Sequence, residues 1–106
     1  MSTLRFKYFK REGACSKCEK AKDTIEMLKS TGCSVSEYDI DELNGYSEAA
    51  FYGVLSVPTL VLIKEYNNGK CDEDELARWV GDTINDNAII EKFNAINNEL
   101  SRKLRE

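Results

Sequence analysis

At 106 residues the chain is long enough for one packed core and too short for two, so a single domain over residues 1–106 is expected. Apolar residues at 42% and charged residues at 32% exclude a disordered or fibrous chain. A net charge of −4, with acids and bases interleaved, leaves no cationic stripe for nucleic acid or an anionic membrane. Four cysteines and no histidine exclude imidazole as base, proton shuttle or metal ligand, so chemistry must start from sulfur, carboxylate or lysine.

Leu4 to Phe9 alternates large apolar and basic residues and stops at Lys10-Arg11-Glu12-Gly13, which predicts a first strand and a loop. From Ser16, residues Cys18, Ala21, Ile25 and Leu28 recur on one helical face, with Gly32 as the expected C-terminal cap. Val35 to Ile40 reads as a second strand, followed by polar turn residues and a short helix over Ser47 to Tyr52. Thr59 to Ile63 is apolar at nearly every position, as burial on both sheet faces demands, and is expected at the centre of the sheet. Tyr66-Asn67-Asn68-Gly69 predicts a turn into a hairpin partner over Leu76 to Val80, with Trp79 in the core. Beyond Gly81, caps at Thr83 or Asn85 introduce a last helix with Ile89, Phe93, Ile96, Leu100 and Leu104 on one face, fraying over Ser101 to Glu106. The order is βαβα followed by ββα, an α/β chain with one four-stranded mixed sheet and helices on both faces.

Cys15-Ser16-Lys17-Cys18 stands where a strand hands over to a helix. Cys15 is expected at the helix N-terminus, where unpaired N–H groups, Lys17 and Lys10 favour a thiolate. Cys15 is then the nucleophile and Cys18, one turn inward, the resolving thiol of a disulfide exchange. The competing reading is half of a zinc site, completed by Cys33 and Cys71. Those two fall at the far end of the expected sheet, near its edges, and read as small apolar packing residues. The longest apolar run, Val57 to Ile63, is too short to span a bilayer, and Met1-Ser2-Thr3 opens without a signal-peptide apolar region. A close cysteine pair in such a chain fits a cytoplasmic protein in a reducing compartment.

Cys15-Ser16-Lys17-Cys18, Val57-Pro58-Thr59 and Val80-Gly81 before the last helix resemble the thioredoxin and glutaredoxin superfamily over nearly the whole chain. The element order is more like glutaredoxins and short thioredoxins than full-length thioredoxin. The resemblance implies the thioredoxin fold, a cis Val57–Pro58 bond beside the cysteines, and main-chain binding of peptide or glutathione at Val57 and Pro58. Lys17, Gly81 and Asp82 complete the implied substrate-binding set. It further implies a thiol–disulfide oxidoreductase acting on protein or glutathione mixed disulfides, with no cofactor beyond a Cys15–Cys18 disulfide and with glutathione as an allowed co-substrate. The implied partners are client protein disulfides and a reductase or glutathione as electron source, for a protein working as a monomer. Two alternatives belong to the same resemblance: a glutathione-assisted iron–sulfur module, and a non-catalytic thioredoxin-like interaction domain.

The chain departs from the family at Ser16-Lys17, where the main branches carry proline or tyrosine, and at Ala14, where no tryptophan precedes Cys15. Phe9 stands in the region of the thioredoxin buried acid, and Glu12 reads as a solvated carboxylate. Arg5 and Lys7, in a strand expected to be central, point to an incompletely covered face or to snorkelling at its rim. The acidic stretch Cys71 to Glu75 reads as a solvated turn.

Overall fold

Residues Thr59 to Ile63 are all buried, and they form the first part of β3 (Thr59–Tyr66). The computed structural model describes residues 2–12, 16–66 and 73–105. β1 (Ser2–Lys10) runs antiparallel to β3, with Phe6 opposite Leu62, and parallel to β2 (Val35–Asp39), with Phe6 opposite Val35. β4 (Glu73–Val80) pairs antiparallel with β3, placing Trp79 opposite Leu60, and the strand order is β2-β1-β3-β4.

Because side chains alternate across a strand, the sheet carries two cores. Phe6, Tyr8, Leu60, Leu62 and Trp79 face α1 (Ser16–Ser30) and α3 (Asp86–Arg105), whose Ala21, Ile25, Leu28 and Ile89 are buried against them. Phe9, Val61 and Ile63 face α2 (Leu43–Phe51) through Ala49, with Tyr38 and Tyr52 packed alongside. Each fully buried Leu, Ile or Phe here contributes about 1.5–3 kcal/mol, so both helix layers are anchored by apolar burial rather than by helix propensity.

The helix ends follow their local chemistry. Gly32 N–H donates to the Lys29 carbonyl at 3.1 Å and Cys33 N–H to the Leu28 carbonyl at 3.1 Å, closing α1. Asn85 caps α3 by accepting from Ala88 N–H at 3.1 Å, while Thr83 Oγ1 bonds the backbone of Val80 at 2.8 Å and closes a single 3-10 turn, Gly81–Thr83.

Three sequence expectations change. α2 begins at Leu43 rather than Ser47: Tyr46 N–H donates to the Glu42 carbonyl at 2.8 Å, so the polar Asn44-Gly45 stretch joins the helix despite its weak propensity. Glu73, Asp74 and Glu75 belong to β4 rather than to a solvated turn, whereas Cys71 and Asp72 lie outside the described residues, as do Asn67, Asn68 and Gly69 of the expected turn. The α3 backbone stays helical to Arg105 instead of fraying from Ser101.

Gly45 explains why α2 can lie where it does. A Cβ at this position would stand 1.9 Å from the Asp39 carbonyl oxygen, so the helix touches the end of β2 through bare backbone. Gly45→Ala would gain about 1 kcal/mol of helix propensity, but overpacking against backbone costs about 3 kcal/mol. The clash wins, and we expect urea denaturation to show a net loss of about 2 kcal/mol. A stabilised Gly45→Ala would contradict this approach of helix to strand.

Candidate active site

α1 starts at Ser16, and its first turn presents Lys17 outward and Cys18 inward; Cys18 is 8% exposed. Cys15, the other member of the pair, lies outside the described residues. The Val57–Pro58 peptide bond is cis, and Pro58 is fully buried at the mouth of β3. Pro58 accepts a hydrogen bond from Gly81 N–H at 2.9 Å, which ties the end of β4 to the proline turn. Gly81 has φ +57, a conformation that costs a side-chain-bearing residue about 1–2 kcal/mol, and it lets the chain turn directly into Asp82. Lys17 Nζ meets Asp82 Oδ2 at 3.6 Å, and a Cβ at Gly81 would touch the Lys17 stem at 3.8 Å.

These contacts bring Lys17, Cys18, Val57, Pro58, Gly81 and Asp82 to one end of the sheet. Lys17 and Asp82 are more than half exposed, so their ion pair is a surface contact worth at most about 1 kcal/mol and open to exchange with a ligand's charges. Lys10 stands between two carboxylates. Its ammonium is held by Glu12 at 2.7 Å and Glu37 at 3.7 Å, which neutralises its field; the Glu12 hydrogen bond holds its pKa above the ordinary lysine value. Glu12 is accordingly an ion-pair partner as well as a solvated carboxylate. Glu37 in turn accepts from Lys29 at 2.5 Å, which holds its carboxyl below the usual range.

Tyr8 was not singled out in the sequence. Its hydroxyl donates to the Cys18 carbonyl at 3.4 Å, and burial raises its pKa to about 12, so it stays a neutral donor at physiological pH. A small cavity beside Cys18 is lined by Tyr8, Lys10, Glu12, Lys22 and Glu37. The only signal for Tyr8 was its place between Phe6 and Lys10 on the α1 face. On the other side of Val57 an apolar groove runs past Tyr46, Gly53 and Leu55, with Leu55 98% exposed.

Cys33 sits after α1, about 20 Å from Cys18 along the helix, half-buried against the core that holds Leu28. Cys71 lies outside the described residues. Among the described residues no three His, Cys, Asp or Glu side chains converge as a metal site, and no helix is long and apolar enough to cross a membrane.

No protein-family model and no curated protein matches the chain. Solved structures do. The chain is similar to thioredoxin of Trichomonas vaginalis, with 26% identity over 85% of this chain and 78% of that one, at a TM-score of 0.66. It is likewise similar to a mutant thioredoxin of Halobacterium salinarum, with 26% identity over 81% and 67% of the two chains and a TM-score of 0.62. For the malaria parasite's thioredoxin-2 the values are 22% identity, 89% and 84% coverage and a TM-score of 0.70. The four-stranded mixed sheet with three helices is the thioredoxin fold. By that fold the chain stands in the thioredoxin/glutaredoxin superfamily.

Proposed function

We propose that this protein is a thiol–disulfide oxidoreductase in which Cys15 attacks a client disulfide and Cys18 resolves the mixed disulfide. The observation that carries this reading is the convergence of the α1 N-terminus with the Val57–Pro58 turn and Gly81-Asp82. Cys18, buried on the first turn, suits a thiol that acts only on a sulfur already bound to its neighbour. In the exchange the Cys15 thiolate forms a bond to one client sulfur and the other leaves as a thiolate. The Cys18 thiolate then displaces the client from Cys15, leaving a Cys15–Cys18 disulfide and a fully reduced client; the two electrons have come from the protein's dithiol.

Val57 offers backbone N–H and C=O to an extended client by strand addition, and Lys17 and Asp82 form the charged lip of that groove. The clients are protein disulfides or glutathione mixed disulfides, the electron source a reductase or glutathione, and the setting the reducing cytoplasm. The chain works as a single-domain monomer without a cofactor beyond its own disulfide.

The test is the reduction potential of the Cys15–Cys18 pair, equilibrated against glutathione buffers and read by thiol trapping. A value within about −270 to −200 mV is expected of a cytoplasmic reductant of this fold. A pair that forms no disulfide at any poise would overturn the exchange function in favour of cluster or zinc binding.

A further inference from the structure

The segment that carries Val57 leaves α2 at Tyr52 and crests at the exposed Leu55 before reaching Pro58. Inside it, Val54 N–H donates to the Ala49 carbonyl at 2.8 Å, and Thr59 Oγ1 donates to the Ser56 carbonyl at 2.8 Å. Its root is met by a side chain from another element. Arg78 Nη2 donates to the Tyr52 carbonyl at 2.5 Å and Nη1 reaches the Gly53 carbonyl at 3.5 Å, bonding carbonyls at the C-terminus of α2 that the helix itself leaves open.

Arg78 is itself held. Its Nε and Nη2 donate to the two carboxylate oxygens of Glu75 at 2.9 and 2.7 Å, a fork that fixes the guanidinium plane. Residues three apart in a regular strand point to opposite faces, so this pairing needs an irregularity. β4 supplies one: the register passes from Leu62 opposite Ala77 to Ile63 opposite Glu75, leaving Leu76 as a bulge that returns Glu75 and Arg78 to the same face. Three residues beyond Arg78, Gly81 N–H bonds the Pro58 carbonyl. β4 and the residue just after it therefore grip the segment at both ends, by the Arg78 side chain at residues 52–53 and by the Gly81 backbone at residue 58.

We infer that Arg78 is a positioning residue for the client-binding strand, fixing residues 53–57 so that Val57 presents its backbone to an extended disulfide-bearing peptide; this rests on the exchange function proposed above. It makes Arg78 a determinant of substrate class. A protein disulfide needs the ordered Val57 backbone, whereas a small aromatic disulfide needs only the cysteines. Lysine cannot replace the fork, since one ammonium cannot hold two carbonyls and a bidentate carboxylate in a plane.

The experiment compares wild type with Arg78→Gln and Arg78→Lys, using insulin and dithiobis-nitrobenzoate as disulfides, with reduction potential and amide hydrogen exchange alongside. Both variants should raise KM for insulin by about tenfold, the loss expected of a charge-assisted hydrogen-bond pair, with kcat, the small disulfide and the potential unchanged. Amides of residues 54–57 should exchange faster. An unchanged KM with unchanged exchange, or an equal slowing with both disulfides, would overturn the role of Arg78. Should wild type reduce neither disulfide, the exchange function falls, and the exchange rates at residues 54–57 alone then decide whether Arg78 holds the segment.

Discussion

A Cys15→Ser variant is expected to show no disulfide reductase turnover, while Cys18→Ser captures its client as a covalent mixed disulfide. The asymmetry follows from exposure. Cys18 is 8% exposed on the first turn of α1, and its carbonyl is held by Tyr8, so a folded client's disulfide has no direct approach to it. With serine at position 15 the remaining thiol faces inward and the first attack is lost. With serine at position 18 the first attack proceeds and its product has no internal thiol to release it. Non-reducing gels would show the Cys18→Ser adduct, and dithiothreitol would dissolve it. Turnover retained by Cys15→Ser, or adducts formed equally by both variants, would sink this division of labour.

The second large effect concerns a charge where a central strand should be apolar. Lys7 is 5% exposed, with Nζ 3.2 Å from Glu73 and 3.5 Å from Glu48, and it lies 4.9 Å from the centre of the Tyr52 ring. Tyr52 in turn donates its hydroxyl to Glu73. Removing one partner of a buried pair strands the other charge, at a cost of about 3–5 kcal/mol. Glu73→Ala leaves Lys7 with the more distant Glu48, so the expected loss lies near about 3 kcal/mol. Lys7→Met removes the buried charge itself and should cost about 1 kcal/mol or less, since partly exposed Glu73 keeps water and Tyr52.

The pair also sets an alkaline limb. Burial opposes the Lys7 charge, but the hydrogen bond to Tyr52 and the charge of Glu73 outweigh it and hold the pKa above the ordinary lysine value. Burial raises Tyr52 to about 12, with the Glu73 hydrogen bond adding to it. Groups raised on folding contribute stability in full below their unfolded pKa and lose it as pH rises through the folded one. Wild-type stability should therefore fall as pH climbs above about 10, and the deficit of Glu73→Ala should narrow over that interval. Equal losses for Glu73→Ala and Lys7→Met in urea titrations would show that the pair acts by packing alone.

What could be read from the sequence is what depends on neighbours in the chain. β3 was legible because five adjacent residues shared one requirement, burial on both faces. The stripe of Cys18, Ala21, Ile25 and Leu28 likewise needed only helical periodicity. Lys7 was not legible as part of a buried cluster, because Glu73 is 66 residues away and belonged, on composition, to a solvated turn. α2 was shortened at its start because Asn44-Gly45 looks like a helix breaker; the reason for Gly45 is the Asp39 backbone, which propensity cannot see. The grouping of Lys17, Val57, Pro58, Gly81 and Asp82 came from family resemblance, and the fold brings them together. The second partner of Lys10, Glu37, was not legible because it arrives on another strand. The role of Arg78 was not legible because its pairing with Glu75 depends on a bulge.

That bulge also decides where the sheet stops. β4 is an edge strand, and a long flat edge would offer its unpaired N–H and C=O groups to the next molecule. Here the outer strand opens with Glu73, Asp74 and Glu75, whose carboxylates are already engaged by Lys7, Tyr66 and Arg78, and then kinks at Leu76, so an incoming strand would meet charged side chains first and a broken hydrogen-bond ladder immediately after. The feature that aims Arg78 at the α2 loop thereby also guards the β4 edge of the sheet against pairing with a neighbouring molecule.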